Sequence, residues 1–436
     1  MPLLLNSSES TMVAFYEGRI IFRNEFIEHV NQACKTFPQH KYSINLCDDR
    51  YHFLVVFSAC VLLKQVSLFP SSRAEKELER LRTLYPDNYL VEDSSIQKIC
   101  REKVSLQLFT NSNFKIQRDQ VVSIIFTSGS TGIPKRNVKT WGQLLVSAER
   151  VKQRFNFNEE KQHSIVATVP PQHMYGFETT IIYPLILGVA IHASCPFYPL
   201  DIQKALLEMP APCVLVTTPL HLKACNSNEK QWPKIDFVIS ATAIMPKDVA
   251  NNAEKILNTR VFEIYGCSET GAIATRQMTV NARWQLLNDY VVETINEKTV
   301  LYVLGTEKKI VIPDILETYD DSYFKLVGRD SDLVNIGGKR GSLSNLTNIL
   351  KSIDGVNDAI YFLPDEVKGM GNRLAALVIA LDCDKKKLRH ELKKSVDSVF
   401  LPRPLIFVDS LPYNALGKLP LARLIAVLNE DASYSI

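Results

Sequence analysis

IIFTSGSTGIPKR, residues 124–136, decides how the chain is read. With the three residues before it, the run VVSIIF (121–126) reads as a buried strand. Thr127, Ser128, Gly129, Ser130, Thr131 and Gly132 then follow with almost no side-chain bulk. Glycines let a backbone turn tightly and approach a ligand closely. Hydroxyls and exposed N–H groups donate to anionic oxygens, and Lys135 adds a point charge. By composition this is a phosphate cradle, with an ordinary Gly/Ser turn as the competing reading. The spacing is not that of the common NTPase loop, which needs Gly-Lys-Ser/Thr in succession.

Bulk properties narrow the classes. At 436 residues the chain can bury a large core and hold more than one domain. It is 46% apolar and 22% charged, ordinary for a globular protein, and its net charge of +3 gives no polyanion signature. Nucleic acid is therefore not an expected partner. The longest apolar run, FLVVFSACVLL (53–63), is too short to span a bilayer and predicts a buried helix, so no membrane span is expected. The start, MPLLLNSSES, lacks the basic segment of a signal peptide. Nine cysteines without a C-x-x-C pair argue against a zinc site or disulfide framework, and a reduced, cytoplasmic setting is expected.

Around the cradle the pattern alternates between strand and helix. Strands are predicted at VSLF (66–69), NYLVED (from 88), SIVATV (164–169), VAIHAS (189–194), CVLVT (213–217), FVISA (237–241) and VFEIY (261–265). Helices are predicted at 53–63 and 73–85, and from Thr140-Trp141 after the glycine-rich loop. Such alternation implies a mostly parallel sheet with helical cover, whose ligands sit beyond the carboxyl ends of the strands. A second unit begins near Gly328-Arg329, giving domains at 1–328 and 329–436. Within it NIGGKR (335–340) reads as a turn and LAALVIALD (374–382) as a strand. KKKLRHELKKSVDSVF (385–400) reads as one helix with Leu388, Leu392, Val396 and Val399 on a common face.

Other stretches carry possible chemistry. FEIYGCSETG (262–271) ends a strand at Tyr265 and Gly266, with Glu269 where a helix could begin. A tyrosine beside a glycine can stack on a purine, and a carboxylate near phosphates can hold Mg²⁺. VPPQHMYGFE (169–178) places His173 in a loop among Tyr175, Gly176 and Phe177, where it could orient a carboxylate beside an apolar pocket. Asp314 is placed in a loop ahead of Gly328-Arg329, where a carboxylate could hold ribose hydroxyls. LPYNALGKLP (411–420) puts Lys418 after a glycine on a loop. Each has a plain alternative: a core tyrosine, a solvated glutamate, a structural histidine, a surface lysine.

Together and in this order these stretches resemble the adenylate-forming (AMP-binding) superfamily of acyl- and aryl-CoA synthetases, luciferases and peptide-synthetase adenylation domains. TSGSTGIPK (127–135), YGCSETG (265–271), PD (313–314) ahead of Gly328-Arg329, and LGK (416–418) match its ordered motifs, over roughly residues 45 to 425. The resemblance implies a large N-terminal α/β domain with mostly parallel sheets and a small, mobile C-terminal α+β domain. It implies ATP-dependent activation of a small-molecule carboxylic acid, releasing pyrophosphate, with Mg²⁺ as cofactor and CoA or a phosphopantetheine thiol as acceptor. The 127–135 loop would hold the β- and γ-phosphates and Glu269 the metal. Tyr265, flanked by Gly266 and Ser268, would stack on adenine. Asp314 and Arg329 would hold the ribose, and Lys418 would contact the reacting oxygens. Ser331 aligns with the rotation hinge, and Gly337 and Gly338 with the thiol channel.

KTWG (139–142), PPQHMYGFE and ETGAIATR are most similar to a short subgroup that accompanies aryl-polyene clusters and loads acids onto an acyl carrier protein. The chain departs from the family at Arg136-Asn137, where a glycine is usual after the loop lysine. It departs again at GSLSNL (341–346), where a glutamate is common, and at the hinge, usually aspartate or lysine. His173, Tyr175, Gly176, Phe177, Ala241, Thr242 and Ala243 are the residues implied on the substrate side. Small residues at 241–243 suit an aryl or medium acyl tail. The segment 169–178 offers only Glu178 as a partner for an α-amino group, which weighs against an amino-acid substrate. Alternatives are an enzyme that stops at the adenylate or passes the acyl group to an amine, and a non-catalytic nucleotide-binding relative.

Overall fold

The structure is a computed structural model. It describes residues 8–101, 115–127, 135–157, 162–210, 212–225, 231–295, 298–304, 306, 309–320, 322–329, 333–336, 339–364, 373–381, 383–414 and 418–433. The chain divides into two compact units, Met1–Ala282 and Arg283–Ile436.

In chain order the first unit forms strands β1 (Met12–Tyr16), β2 (Arg19–Phe22), β3 (Tyr42–Asn45), β4 (Val66–Phe69), β5 (Asn88–Val91), β6 (Val121–Thr127), β7 (Lys135–Thr140), β8 (Ser164–Ala167), β9 (Ala190–His192), β10 (Cys213–Thr217), β11 (Phe237–Ser240), β12 (Arg260–Cys267) and β13 (Gly271–Arg276). One sheet runs β5-β3-β4-β6-β7. It is parallel except at β6–β7, where Thr127 faces Lys135 across an antiparallel pair. The second sheet runs β13-β12-β11-β10-β8-β9-β1-β2 within this unit. It is parallel from β12 to β1, with antiparallel pairs at both ends. The mostly parallel α/β prediction holds. The strand β7 was missed: the chain returns beside β6 before the helix Trp141–Phe155 begins.

That helix begins where its sequence says it should. The Thr140 hydroxyl accepts from the Gln143 backbone N–H, and the Gln143 side chain accepts from Thr140 N–H. It ends at Asn156, left-handed at φ 52°. The predicted buried helix spans Arg50–Leu62, and residues 50–61 are all buried. Asp49 caps it, accepting from Tyr51 and His52 N–H. It packs against β3 and β4 on one side and β9 on the other, so it lies between the two sheets. Phe53 and Phe57 meet Phe69, and Phe57 and Phe69 both meet Phe177 edge-on.

Arg50 is fully buried at the start of this helix. Its guanidinium donates to the carbonyls of Ala167, Val169 and His192 at 2.9–3.0 Å, and to that of Ser194. These carbonyls lie at the carboxyl ends of β8 and β9, so one side chain fixes where both strands stop.

The second unit forms β14 (Trp284–Leu286), β15 (Tyr290–Ile295), β16 (Lys298–Val303), β17 (Lys309–Ile312), β18 (Asp314–Thr318), β19 (Tyr323–Arg329), β20 (Leu333–Ile336), β21 (Lys339–Ser342), β22 (Val356–Phe362), β23 (Ala375–Ala380) and β24 (Leu405–Phe407). β15, β16 and β17 form an antiparallel sheet, β19 pairs with both β14 and β18, and β22-β23-β24 form a third sheet. The segment read as the turn NIGGKR is mostly strand, since β20 and β21 pair antiparallel around it. The predicted helix 385–400 stops at Ser395: Val396 is extended, and Ser398–Phe400 forms a separate 3-10 turn capped by Asp397. Asp397 and Ser398 favour caps over helix interiors, which explains the break. Val396 and Val399 still reach the core around Leu388 and Leu392, partly buried. No described helix is long and apolar enough to cross a membrane.

Arg50→Ala removes the donors for four carbonyls, three of them in fully buried contacts. Each orphaned buried group costs about 1–3 kcal/mol, so a loss of about 3 kcal/mol or more is expected in urea unfolding. A loss below about 1 kcal/mol would show that water replaces the guanidinium without penalty.

Candidate active site

The loop 127–135 is bounded by cross-strand partners. Thr127 ends β6 and Lys135 opens β7 opposite it, with the Thr127 hydroxyl donating to the Lys135 carbonyl at 3.5 Å. Ser128, Gly129, Ser130, Thr131 and Gly132 lie outside the described residues. The Lys135 ammonium reaches across 134 positions of sequence to Glu269, donating to Oε1 at 2.5 Å. The pair holds the Lys135 pKa above its ordinary value. At Glu269, burial pushes the carboxyl up, but the Lys135 hydrogen bond and the turn's own donors outweigh it, so the net shift is downward.

Glu269 was expected where a helix begins. It lies instead in the turn joining β12 to β13, an antiparallel hairpin. Thr270 N–H donates to the Cys267 carbonyl at 3.3 Å and closes that turn. Ser268 lies in the same turn, partly buried. Tyr265 is largely buried and pairs with Ala274, and the ladder shifts register between Tyr265 and Gly266. The bulge brings backbones together: a Cβ at Gly266 would meet the Gly271 carbonyl oxygen at 2.2 Å. Gly271 is left-handed at φ 80°. Both glycines are therefore fixed by space or conformation.

The segment read as a loop at 173–178 is helical. His173 precedes the helix Met174–Phe177, and its carbonyl accepts from Phe177 N–H at 2.7 Å. A π-helical turn, Glu178–Ile182, follows. The Tyr175 hydroxyl donates to the carbonyls of Ile239 at 2.9 Å and Thr217 at 3.3 Å, at the carboxyl ends of β11 and β10. Gly176 is pressed against Pro170, whose carbonyl oxygen would be 2.0 Å from an added Cβ. Phe177 is core, held between Phe57 and Phe69. Of this cluster, His173 and Tyr175 are partly exposed and Gly176 and Phe177 are buried.

Directly after β11, Ala241 is buried, Thr242 is partly exposed and Ala243 is exposed. Thr242 has φ 82°, a conformation a β-branched residue rarely takes. Such strain concentrates at ligand clamps.

The remaining predicted residues belong to the second unit and are described within it. Asp314 opens β18 rather than lying in a loop, is 3% exposed, and faces Arg329 directly across the β18–β19 ladder. Thus two residues fifteen positions apart in sequence are cross-strand neighbours. Lys418 is tied to Asn414: its N–H donates to Asn414 Oδ1 at 2.9 Å, and its carbonyl accepts from Asn414 N–H at 2.8 Å. Its side chain is exposed. Ser331, Gly337 and Gly338 lie outside the described residues.

Sequence reasoning gave no role of their own to Lys139 and Gly271, which lie in the quoted stretches KTWG and YGCSETG, and did not single out Ser147. The signal for Lys139 was an inverted alternation in β7, where Asn137 and Lys139 are buried while Arg136 and Val138 are exposed.

The donor set suits magnesium and phosphates. Mg²⁺ takes hard oxygen ligands and is held by one or two carboxylates together with substrate phosphates. Glu269 supplies one such carboxylate and Lys135, against it, a cation for phosphate oxygens. Among the described residues no cluster of three acidic, histidine or cysteine side chains forms an all-protein metal cage.

Comparison with known proteins gives the family and the fold. The model of the AMP-binding enzyme family matches residues 39–314. A 4-coumarate–CoA ligase of Halorhodospira halophila is 27% identical over 303 residues, covering 67% of this chain and 73% of that protein. A 2-succinylbenzoate–CoA ligase of Oceanobacillus iheyensis is 23% identical over 338 residues, covering 70% of this chain and 69% of its own. The crystal structure of ATP-bound MatB from Rhodopseudomonas palustris superposes with a TM-score of 0.81 at 16% identity, covering 98% of this chain and 96% of that one. The fold is that of the adenylate-forming enzymes. The chain belongs to the AMP-binding enzyme family.

Gly266→Ala forces its Cβ against a backbone oxygen. Overpacking of this kind costs about 1–3 kcal/mol, expected as a lowered urea midpoint together with weakened ATP binding. Unchanged values for both would mean that the hairpin tolerates a wider bulge.

Proposed function

We propose that this member of the AMP-binding enzyme family is an acid–thiol ligase that activates a small aryl or acyl carboxylic acid with ATP. A carboxylate oxygen attacks the α-phosphorus, the bond from that phosphorus to the bridging oxygen breaks, and pyrophosphate leaves with an acyl-adenylate formed. A pantetheine thiolate then attacks the acyl carbon and AMP departs, giving a thioester. The observation that carries the reading is the Lys135–Glu269 pair, an ammonium and a carboxylate joined across 134 positions beside the phosphate-cradle motif.

In this reading Lys135 and the 127–132 loop, including Thr127, orient the outer phosphates. Glu269 orients magnesium, which supplies charge neutralisation on the phosphates. Tyr265, Gly266 and Ser268 line the nucleotide site. Asp314 and Arg329, already paired across a ladder, hold the ribose hydroxyls. Lys418 donates to the carboxylate and α-phosphate oxygens where charge develops. His173 orients the acid, with Tyr175, Gly176, Phe177, Ala241, Thr242 and Ala243 behind it. Tyr175 supports that placement by tying this helix to the strand ends that lead into 241–243. The functional division at 328/329, a pivot at Ser331 and a thiol channel at Gly337 and Gly338 belong to the same proposal.

An amino-acid substrate is disfavoured: Glu178, the sole acidic residue of 169–178, is buried and accepts from Ser147. CoA is the first choice of acceptor, since the relatives described above are named CoA ligases. A carrier protein is the second. The helix Lys385–Ser395 buries Leu388 and Leu392 and exposes Lys385, Lys386, Lys387, Arg389, Lys393 and Lys394, a surface suited to steering an acidic partner. A reducing, cytoplasmic setting completes the proposal, supported by nine free thiols.

The test is pyrophosphate release with ATP and Mg²⁺ across benzoic, cinnamic, short- and medium-chain fatty acids and amino acids. Each is run without thiol, with CoA, and with a holo carrier protein. Release is expected with one aryl or acyl class and a thioester with one acceptor. No release with any acid, despite ATP binding, would favour the non-catalytic alternative. Lys418→Ala is expected to lose adenylation by at least about a hundredfold while ATP affinity stays within a few-fold. Normal turnover by that variant would remove Lys418 from the chemistry.

A further inference from the structure

Two buried charges and a buried hydroxyl lie against the hairpin that carries Glu269, and the reading above gives them no role. Lys139, Ser147 and Glu178 are 3%, 5% and 4% exposed. They come from β7, the helix Trp141–Phe155 and the π-helical turn Glu178–Ile182. The Lys139 ammonium donates to the Glu269 carbonyl at 2.9 Å, gripping the tip of the turn. The Glu178 carboxylate accepts from Ser147 Oγ at 2.6 Å and from the Ala272 backbone N–H, gripping its base. Gly271 lies so close that an added Cβ would be 2.3 Å from Glu178 Oε1. Burial pushes the Glu178 carboxyl up, opposed by Ser147 and by the Lys139 charge, so the two ions sense each other.

A buried ion pair is weak evidence for stability, because apolar residues of similar volume often serve the fold as well or better. The placement here has a narrower meaning. Both charges are spent on the backbone of one hairpin, Lys139 at its turn and Glu178 at the start of β13, and that turn bears the carboxylate facing Lys135.

We propose that Lys139 and Glu178 are positioning residues that hold the Glu269 carboxylate at the angle a magnesium–triphosphate requires, with Ser147 holding Glu178. The inference rests on the reading of Glu269 as the metal-side carboxylate. Groups that orient a metal ligand from behind typically change metal affinity by roughly ten- to a hundredfold when removed.

The experiment needs no turnover. Mn²⁺ uptake in the presence of ATP, without acid, is followed by electron paramagnetic resonance for the full chain and for Glu178→Gln, Ser147→Ala and the double variant Lys139→Met/Glu178→Leu. Thermal unfolding is recorded alongside. The double variant removes both charges together and so leaves no stranded ion. It is expected to keep the wild-type Tm yet bind Mn²⁺ roughly ten- to a hundredfold more weakly. Glu178→Gln is expected to weaken Mn²⁺ uptake similarly, with metal-free ATP affinity unchanged. Ser147→Ala should shift it in the same direction and stands in if Glu178→Gln does not fold. Folded variants with wild-type Mn²⁺ affinity would overturn this inference alone. Wild-type protein that takes up no Mn²⁺ with ATP would overturn the reading of Glu269 as well.

Discussion

A guanidinium sealed inside the first unit sets the frame on which the candidate site depends. Arg50 is held by carbonyls rather than by a hydrogen-bonded carboxylate, and those carbonyls terminate β8 and β9. A charge in that position is tolerable because both Nη groups are met by these carbonyls, which leaves only the buried Nε without a hydrogen-bond partner. The helix it opens lies between the two sheets, buried along its length. Strand ends, helix start and the spacing between layers are thereby set by one cluster of hydrogen bonds. The carboxyl ends of the strands, where ligands of parallel sheets bind, inherit that spacing.

From this frame the two candidate charges, Lys135 and Glu269, are presented by antiparallel returns rather than by the parallel strands themselves. β7 turns back from β6 and brings Lys135, and β13 turns back from β12 after the turn bearing Glu269. A return lets a short segment stand at a strand end without committing to a helix. It also exposes backbone groups that must be met, and Lys139 and Glu178 meet two of them at the Glu269 hairpin.

Much of this was legible in the sequence because the signals were local. VVSIIF is a strand whatever surrounds it, and the apolar run 53–63 had to be buried. The helix start read near Thr140-Trp141 is where the Thr140/Gln143 cap closes in the structure. What was missed depends on contacts distant in sequence. Glu269 was read as a place where a helix could begin, after the strand ending at Tyr265 and Gly266, but the fold of the hairpin is set by the close approach of Gly266 and Gly271. The overlong helix at 385–400 came from extending an apolar stripe through Asp397, which caps the next turn. Asp314 and Arg329 were assigned together to the ribose only through the family resemblance, and it is the β18–β19 register that makes them cross-strand neighbours. Arg50 carried no signal of its own: an arginine at a helix start reads as a surface residue until the strand ends arrive around it.

The Lys135–Glu269 ion pair has a further consequence. Each partner already answers the other, so a solitary anion drawn to the lysine would strand the carboxylate, and a solitary cation drawn to the carboxylate would strand the lysine. A guest that brings both signs together, ordered opposite to the host, leaves neither uncompensated. Discrimination then resides in the coincidence of two charges, as in a lock that turns only when two keys are inserted at once.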